Sequence, residues 1–228
     1  MNTLILLIMA ILPGLAITMI IYLRDIRKPE PSKFMLVSIL FGALSFFISL
    51  GIGLLLHKYT NIEKDNFAHQ MIRALIFVGF VEEGSKFLFL RGILFQNRHF
   101  KEPFDGILYA VMVGMGFAIA ENIVYVLNGD GGTALIRMFT AVPAHGVFAV
   151  IMGFFLGEAK VFQTSSFLYA GMALGLATFV HGYYDYFLFL SFVPGLWIQA
   201  FVSLVIVVVL THFAIKMRRD EIIRSKQD

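Results

Sequence analysis

Residues 34–56 read FMLVSILFGALSFFISLGIGLLL, and no charged side chain interrupts this run. A helix crosses a bilayer with about 20 predominantly apolar residues, so this segment is long enough to span a membrane. Predominantly apolar stretches of similar length lie at 4–23, 71–95, 104–127, 134–158, 167–190 and 196–215. The sequence therefore predicts an all-α, polytopic membrane helical bundle with about seven transmembrane helices.

The composition agrees with this fold class and excludes several kinds of function. Of the 228 residues, 59% are hydrophobic and 14% are charged, whereas a soluble domain carries about 25% charged residues. Because the chain has no cysteine, it has no disulfide, thiolate metal site or cysteine nucleophile. The connections between the predicted spans are short, so residues 1–228 are expected to form a single transmembrane domain.

Most lysines and arginines between the predicted spans or near their ends lie on one side of the membrane. They are Arg24, Arg27, Lys28, Lys33, Arg91, Arg98, Lys101, Lys160, Lys216, Arg218, Arg219, Arg224 and Lys226. Only Lys58 and Lys64 lie on the other side. The positive-inside rule then predicts that the N-terminus is outside and the C-terminus inside. These cations also favour contact with anionic lipid and not with nucleic acid.

Charged residues inside a predicted span are the first candidates for function, because each costs about 2.5–3.5 kcal/mol at a helix centre. The third span holds Glu82, Glu83 and Lys86. An internal Glu82–Lys86 pair, four residues apart, would lower this cost but would leave Glu83 unexplained. Two adjacent carboxylates cannot both ionise cheaply at low dielectric, and a carboxyl group that exchanges its proton suits acid–base catalysis.

The fourth and fifth spans add further polar residues. Glu121 and Asn122 in the fourth span could serve the site or simply join helices by hydrogen bonds. Arg137, near the outer end of the fifth span, is expected to extend to the interface. His145 follows Pro143, a residue that kinks helices, and a histidine there is either functional or a packing residue.

The sixth span carries His181 and Asp185, which are four residues apart and so share one helix face. A carboxylate in that position can orient the imidazole. Counted along the predicted spans, His181 lies near mid-membrane with Glu82 and His145, whereas Glu121 and Asp185 lie further outward. Four helices thus place their polar residues in one layer that opens more easily to the outside.

The combined pattern resembles the PrsW intramembrane proteases, within the wider group of CAAX-processing proteases and bacteriocin-immunity proteins. It consists of Glu82-Glu83-x-x-Lys86, Phe117-x-x-x-Glu121-Asn122, His145-Gly146-Val147 to Gly157, His181-x-x-x-Asp185 and an early Glu30-Pro31 turn. The resemblance covers nearly the whole chain. The wider group usually has Arg and His where this chain has Lys86 and Glu121, which favours PrsW over prenyl-protein processing.

The resemblance implies a function and a location. A PrsW-like protein would be a multi-pass protein of the bacterial cell membrane that cleaves a single-pass membrane protein, an anti-sigma factor. The cut would fall at an outward-facing site and would be the first step of a stress-signalling cascade, which a site-2-type protease completes.

Two versions of the hydrolysis remain open at this stage. In the first, Glu82 or Glu83 activates a water, while Lys86 keeps the other carboxylate ionised. His181, oriented by Asp185, and His145 then stabilise the developing charge or protonate the leaving amine. The second version adds a divalent metal such as zinc, with the ligand set Glu83, Glu121, His145 and His181. Because no local motif specifies three well-spaced ligands, the residues slightly favour the metal-free version.

Other functions compete with proteolysis. Buried Glu and His also build the proton relays of ion-coupled transporters, although transporters commonly show two related halves and this chain shows no duplication. A non-catalytic immunity protein could use the same scaffold. Serine catalysis by Ser85 lacks the Gly-x-Ser-x-Gly elbow that a serine nucleophile commonly has.

Overall fold

A computed structural model of the chain describes residues 3–24, 32–128, 131–162 and 165–224. Within these ranges the regular structure is helical and no strand occurs. The α-helices are α1 (Thr3–Arg24), α2 (Ser32–Tyr59), α3 (Phe67–Ile72), α4 (Val81–Gly92), α5 (Pro103–Leu127), α6 (Gly131–Phe139), α7 (Ala141–Val161), α8 (Ser166–Phe189) and α9 (Trp197–Arg224). A π-helical segment, Arg73–Phe80, joins α3 to α4, and a 3-10 turn, Leu94–Gln96, follows α4. The expected Glu30-Pro31 turn and the loop cations Arg27 and Lys28 lie outside the described residues.

Each predicted span coincides with a long helical segment, and the third corresponds to α3, the π-helical segment and α4 together. Among the described residues, five stretches are long and apolar enough to cross a membrane: Leu4–Leu23, Lys33–Tyr59, Pro103–Leu127, Leu135–Val161 and Trp197–Arg218. The third and sixth predicted spans are not among them, because they contain the polar residues of the predicted site. The helical membrane bundle is confirmed, whereas the orientation and the single domain stay predictions.

The outer half of the fifth predicted span differs from expectation. A separate short helix, α6, begins at Gly131. The chain then breaks at Thr140, and α7 starts at Ala141. Pro143 therefore lies in the first turn of α7 and does not kink the middle of a helix, since a first-turn residue needs no intrahelical N–H bond.

Helix α5 is the centre of the bundle, and its small residues allow close helix packing. A Cβ atom on Gly106 would collide with the backbone of Gly153 and Gly157 in α7. One on Gly114 would lie 2.8 Å from Ala149 Cβ and 3.2 Å from the His145 carbonyl oxygen. These small residues of α5 thus form a packing surface. This packing brings His145 close to α5.

A second close approach joins α8 to the π-helical segment. A Cβ on Gly79 would lie 3.0 Å from the Thr178 carbonyl oxygen and 3.2 Å from the Gly182 nitrogen. A Cβ on Gly182 would lie 2.8 Å from Leu75 Cα. Because neither glycine carries a side chain, the two backbones touch. This contact brings His181 of α8 beside the carboxylates at the start of α4.

Candidate active site

Glu82 and Glu83 stand in the first turn of α4, directly after the π-helical segment. Such wide helical turns occur frequently at functional sites. The two carboxylates have different surroundings: Glu82 lines a cavity, whereas Glu83 is fully buried. The two adjacent carboxylates of this helix therefore lie in different environments.

Lys86 is buried and joins α4 to α7. Its Nζ lies 2.7 Å from Glu83 Oε1 and 3.1 Å from His145 Nδ1, and 4.0 Å from the centre of the Phe117 ring. The Glu82–Lys86 pair considered from the spacing is therefore wrong, since the lysine pairs with Glu83, three residues away. Glu82 is left without a cationic side chain from its own helix.

His181 meets three carboxylates. Its Nδ1 lies 2.8 Å from Glu83 Oε1, and its Nε2 lies 3.4 Å from Asp185 Oδ2 and 3.9 Å from Glu82 Oε2. The ring stacks on Phe148 with 4.5 Å between the ring centres. A carboxylate that accepts the Nδ1 hydrogen fixes the tautomer and leaves Nε2 with a lone pair. Glu83 thus orients this imidazole through Nδ1, whereas Asp185 flanks Nε2, and its expected orienting role stays a prediction.

Glu121 is held by a cation from the next helix. Arg137 Nη2 lies 2.6 Å from Glu121 Oε2, and Arg137 Nε donates to Asn122 Oδ1 at 3.0 Å. The expectation that Arg137 extends to the membrane interface is therefore wrong. The same Glu121 oxygen lies 3.0 Å from His145 Nε2, so His145 bridges Glu121 and Lys86.

Glu82, His145 and His181 form a candidate metal group, because each offers one ligand atom within 4.8 Å of the others. The expected ligand set instead named Glu83 and Glu121, whose oxygens engage Lys86, His181, Arg137 and His145. Two histidines and one carboxylate are a common ligand set of catalytic zinc.

The donor atoms of this group fit a cation. Glu82 Oε2 is buried and has no hydrogen-bond partner among the described residues. It faces His181 Nε2 at 3.9 Å, so two electron-rich atoms meet when His181 carries its hydrogen on Nδ1. A metal ion bound to both atoms, or a proton shared between them, would remove the repulsion between their lone pairs. His145 would donate to a metal after exchanging one of its two side-chain contacts.

A cavity of about 750 Å³ opens onto these groups. Its polar lining residues are Arg73, Glu82, Glu121, Tyr125, Arg137, Thr140, His145, His181, Tyr184 and Asp185. Sequence reasoning missed Arg73, Tyr125, Thr140 and Tyr184 as parts of this lining. The three-residue spacing between His181 and Tyr184 is a signal that could have identified the tyrosine, since such residues share a helix face.

Ser85 takes no part in the cavity. Its hydroxyl donates to the Glu82 carbonyl oxygen at 2.8 Å within α4, and the side chain is buried. A serine nucleophile would need an adjacent base and an open approach for the substrate. The geometry therefore agrees with setting serine catalysis aside.

Comparison with known proteins gives one family. The profile of the PrsW family intramembrane metalloproteases matches residues 30–212. "Protease PrsW" of Geobacillus kaustophilus is 34% identical over 176 residues, covering 77% of this chain and 76% of the relative. The Bacillus subtilis protein of that name is 32% identical over 179 residues, covering 78% and 80%. The Clostridioides difficile protein is 30% identical over 191 residues, covering 81% and 79%. No solved structure matches the chain.

Proposed function

Because this chain belongs to the PrsW family of intramembrane metalloproteases, we propose that the cavity lined by Glu82, His145 and His181 is the place where it hydrolyses peptide bonds. The chain is a multi-pass membrane peptidase. The observation that supports the location is the meeting of Glu82 Oε2, His181 Nε2 and Asp185 Oδ2 at the cavity wall. These three atoms come from α4 and α8, and Glu82 Oε2 has no hydrogen-bond partner among the described residues.

The substrate is a single-pass membrane protein, and the resemblance of the motifs implies an anti-sigma factor. The cavity is lined by apolar residues, including Val78, Leu188 and Phe201, as well as by the polar residues named above. The apolar residues suit the side chains of a transmembrane segment, and the polar residues suit its peptide group. With the predicted orientation, cleavage falls near the outer side of the bilayer.

A divalent metal such as zinc would be held by Glu82, His145 and His181. When bound, such a metal polarises a carbonyl oxygen and makes a bound water more acidic. Glu83 holds the His181 ring through Nδ1, and Lys86 balances the charge of Glu83. These two residues would not bind the metal themselves but would orient the side chains that do.

The proton of the attacking water goes to a cavity carboxylate. Among the described residues, neither Glu82 nor Asp185 has a lysine or arginine within 4.0 Å, unlike Glu83 and Glu121. An unpaired carboxylate accepts a proton more readily than one held by a cation. With Glu82 occupied as a ligand, Asp185 is the base, and it returns the proton to the leaving amine.

Anionic lipid headgroups are proposed as partners at the inner side. Several expected lipid contacts are engaged within the protein: Arg91 donates to Ser166, Lys160 to the Phe95 carbonyl and Arg218 to Glu158. The exposed Arg98 and Lys101 are better placed for headgroups. Exchange of both for glutamine should weaken binding to anionic vesicles.

Co-expression with tagged single-pass anti-sigma factors tests the proposed function. Wild-type protein should produce a clipped fragment, and Glu82→Gln and His181→Ala should abolish it. Glu158→Gln is the control, because Glu158 is also a glutamate inside the bundle but pairs with Arg218 outside the cavity. Clipping that survives in Glu82→Gln and His181→Ala would remove the proposed site. If no single-pass protein is clipped, the proposed substrate class is wrong.

A further inference from the structure

Tyr184 has a buried hydroxyl group beside the cavity. The side chain is 3% exposed and lines the cavity wall. Its hydroxyl oxygen is buried and makes no hydrogen bond within the described part of the chain. Thr140 is its polar neighbour, but the geometry between the two hydroxyl groups is not that of a formed hydrogen bond, and the Thr140 hydroxyl donates to the Ile136 carbonyl at 2.9 Å. The phenol hydrogen is therefore not engaged in a formed hydrogen bond to any described residue.

Folding gives no reason for this hydroxyl. The Tyr184 ring makes edge contacts with Phe148 at 6.2 Å and with Phe201 at 6.5 Å between ring centres. Phenylalanine would preserve these ring contacts, whereas a buried hydroxyl without a partner destabilises the folded protein. An unsatisfied buried polar group calls for an explanation, and here it lies beside a space that a substrate can fill.

The hydroxyl also lies on the same helix face as the reacting groups. Tyr184 follows His181 by three residues and directly precedes Asp185, and all three line the cavity. Residues three and four apart are neighbours on a helix surface. The Tyr184 side chain therefore lies next to His181 along the cavity wall.

Three hydrogen-bond donors near His181 on this wall are already engaged. Arg137 donates to Glu121 and Asn122, His145 contacts Lys86 and Glu121, and Thr140 donates to a backbone carbonyl. A phenol is a hydrogen-bond donor at neutral pH. Tyr184 thus offers an uncommitted neutral donor next to His181.

We propose that Tyr184 is a further catalytic residue, whose Oη–H donates a hydrogen bond to the scissile carbonyl oxygen as this oxygen gains negative charge. This inference rests on the proposed function. The water oxygen bonds to the carbonyl carbon, and its proton goes to a cavity carboxylate. The carbon–nitrogen bond then breaks, and the leaving amine takes that proton. Tyr184 keeps its own proton throughout and acts only as a donor.

Tyr184→Phe tests the proposal, because it removes only the oxygen. The assay uses purified protein in proteoliposomes and the reporter that wild-type protein clips in co-expression. We expect kcat to fall by roughly 10²-fold, the typical effect of losing one donor to an oxyanion, while KM stays unchanged. The melting temperature should equal or exceed that of the wild type, since the hydroxyl has no hydrogen-bond partner among the described residues, and the amount of bound metal should match.

Tyr183→Phe is the matched control. Tyr183 is the adjacent residue, 43% exposed, and its ring contacts Phe179 and Phe187 on the outside of α8. This variant should cleave like the wild type. Thr140→Val serves as a second comparison, and we expect it to retain more activity than Tyr184→Phe.

Four results would overturn the inference: wild-type kcat in Tyr184→Phe, a loss that appears only in KM, a loss that accompanies a lower melting temperature or less bound metal, or an equal loss in Thr140→Val. The last would mean that the phenol acts through Thr140 and not on the substrate. Failure of the proposed function gives a different signature, since Glu82→Gln would then cleave as well as the wild type.

Discussion

The Glu83 carboxylate and the His181 imidazole are 2.8 Å apart, between Oε1 and Nδ1, although 98 residues separate them in the chain. The same oxygen lies 2.7 Å from Lys86 Nζ. One buried oxygen therefore orients a histidine and balances a buried ammonium group. This double role makes Glu83 a positioning residue, while Glu82 faces the cavity.

Glu83→Gln should damage both stability and activity. Removal of one partner of a buried ion pair leaves the Lys86 charge uncompensated, which typically costs about 3–5 kcal/mol. Thermal unfolding in detergent measures this loss, and reporter cleavage measures the effect on His181. Adding Lys86→Met should recover stability, because the unpaired charge is gone, but not cleavage. A double variant that cleaves normally would contradict the role of Glu83 in orienting His181.

A divalent metal should copurify in stoichiometric amount, and chelation should stop cleavage. Glu82→Gln and His181→Ala should lose the metal, because each removes a proposed donor. Glu83→Gln should lower metal affinity by about 10- to 100-fold, the usual effect of losing a residue that orients a ligand. Elemental analysis of dialysed protein gives these values. His212→Ala is the control, since His212 lies on α9 outside the cavity. Full cleavage by metal-free protein would restore the metal-free mechanism.

Arg137→Gln should destabilise the protein by about 1–3 kcal/mol, because it leaves the mostly buried Glu121 carboxylate without its cation. Arg137→Lys keeps the charge but loses the Nε hydrogen bond to Asn122, so its loss should be smaller. Melting temperatures of the two variants make the comparison. If both variants melted at the wild-type temperature, the ion pair with Glu121 would not contribute to stability.

Gly182→Ala should reduce cleavage by roughly 10- to 100-fold, an effect that a displacement of about 1 Å can produce. Its Cβ would lie 2.8 Å from Leu75 Cα, so α8 must move away from the π-helical segment and carry His181 with it. Gly175→Ala in the same helix meets nothing within 4 Å and should cleave normally. Equal activity of the two variants would mean that the close approach does not position His181.

Ser85→Ala should leave cleavage near the wild-type level. Its hydroxyl only donates to the Glu82 carbonyl within the helix, and the loss of one such bond costs about 1 kcal/mol. The reporter assay and a melting curve measure both effects. An inactive but well-folded Ser85→Ala protein would return serine catalysis to consideration.

The sequence by itself determined the membrane class and the identity of most polar residues at the site. The apolar run at 34–56 requires a membrane helix because its length matches the bilayer. Glu82, His145 and His181 are recognisable because polar residues at span centres are costly without a role. Local spacing also predicted that Asp185 would lie beside His181, which is a matter of helix geometry alone.

Only the tertiary structure decided which of these residues contact one another. By spacing alone, Lys86 could pair with either glutamate of its own helix. In the structure it pairs with Glu83 and also contacts His145 on α7. Arg137 lies inside the bundle because it pairs with Glu121 on α5. Tyr184 lines a cavity that forms only between packed helices. Spacing along one helix defines a face, but partners on other helices depend on how closely the backbones approach. Here that approach occurs where Gly79 and Gly182 let α8 touch the π-helical segment.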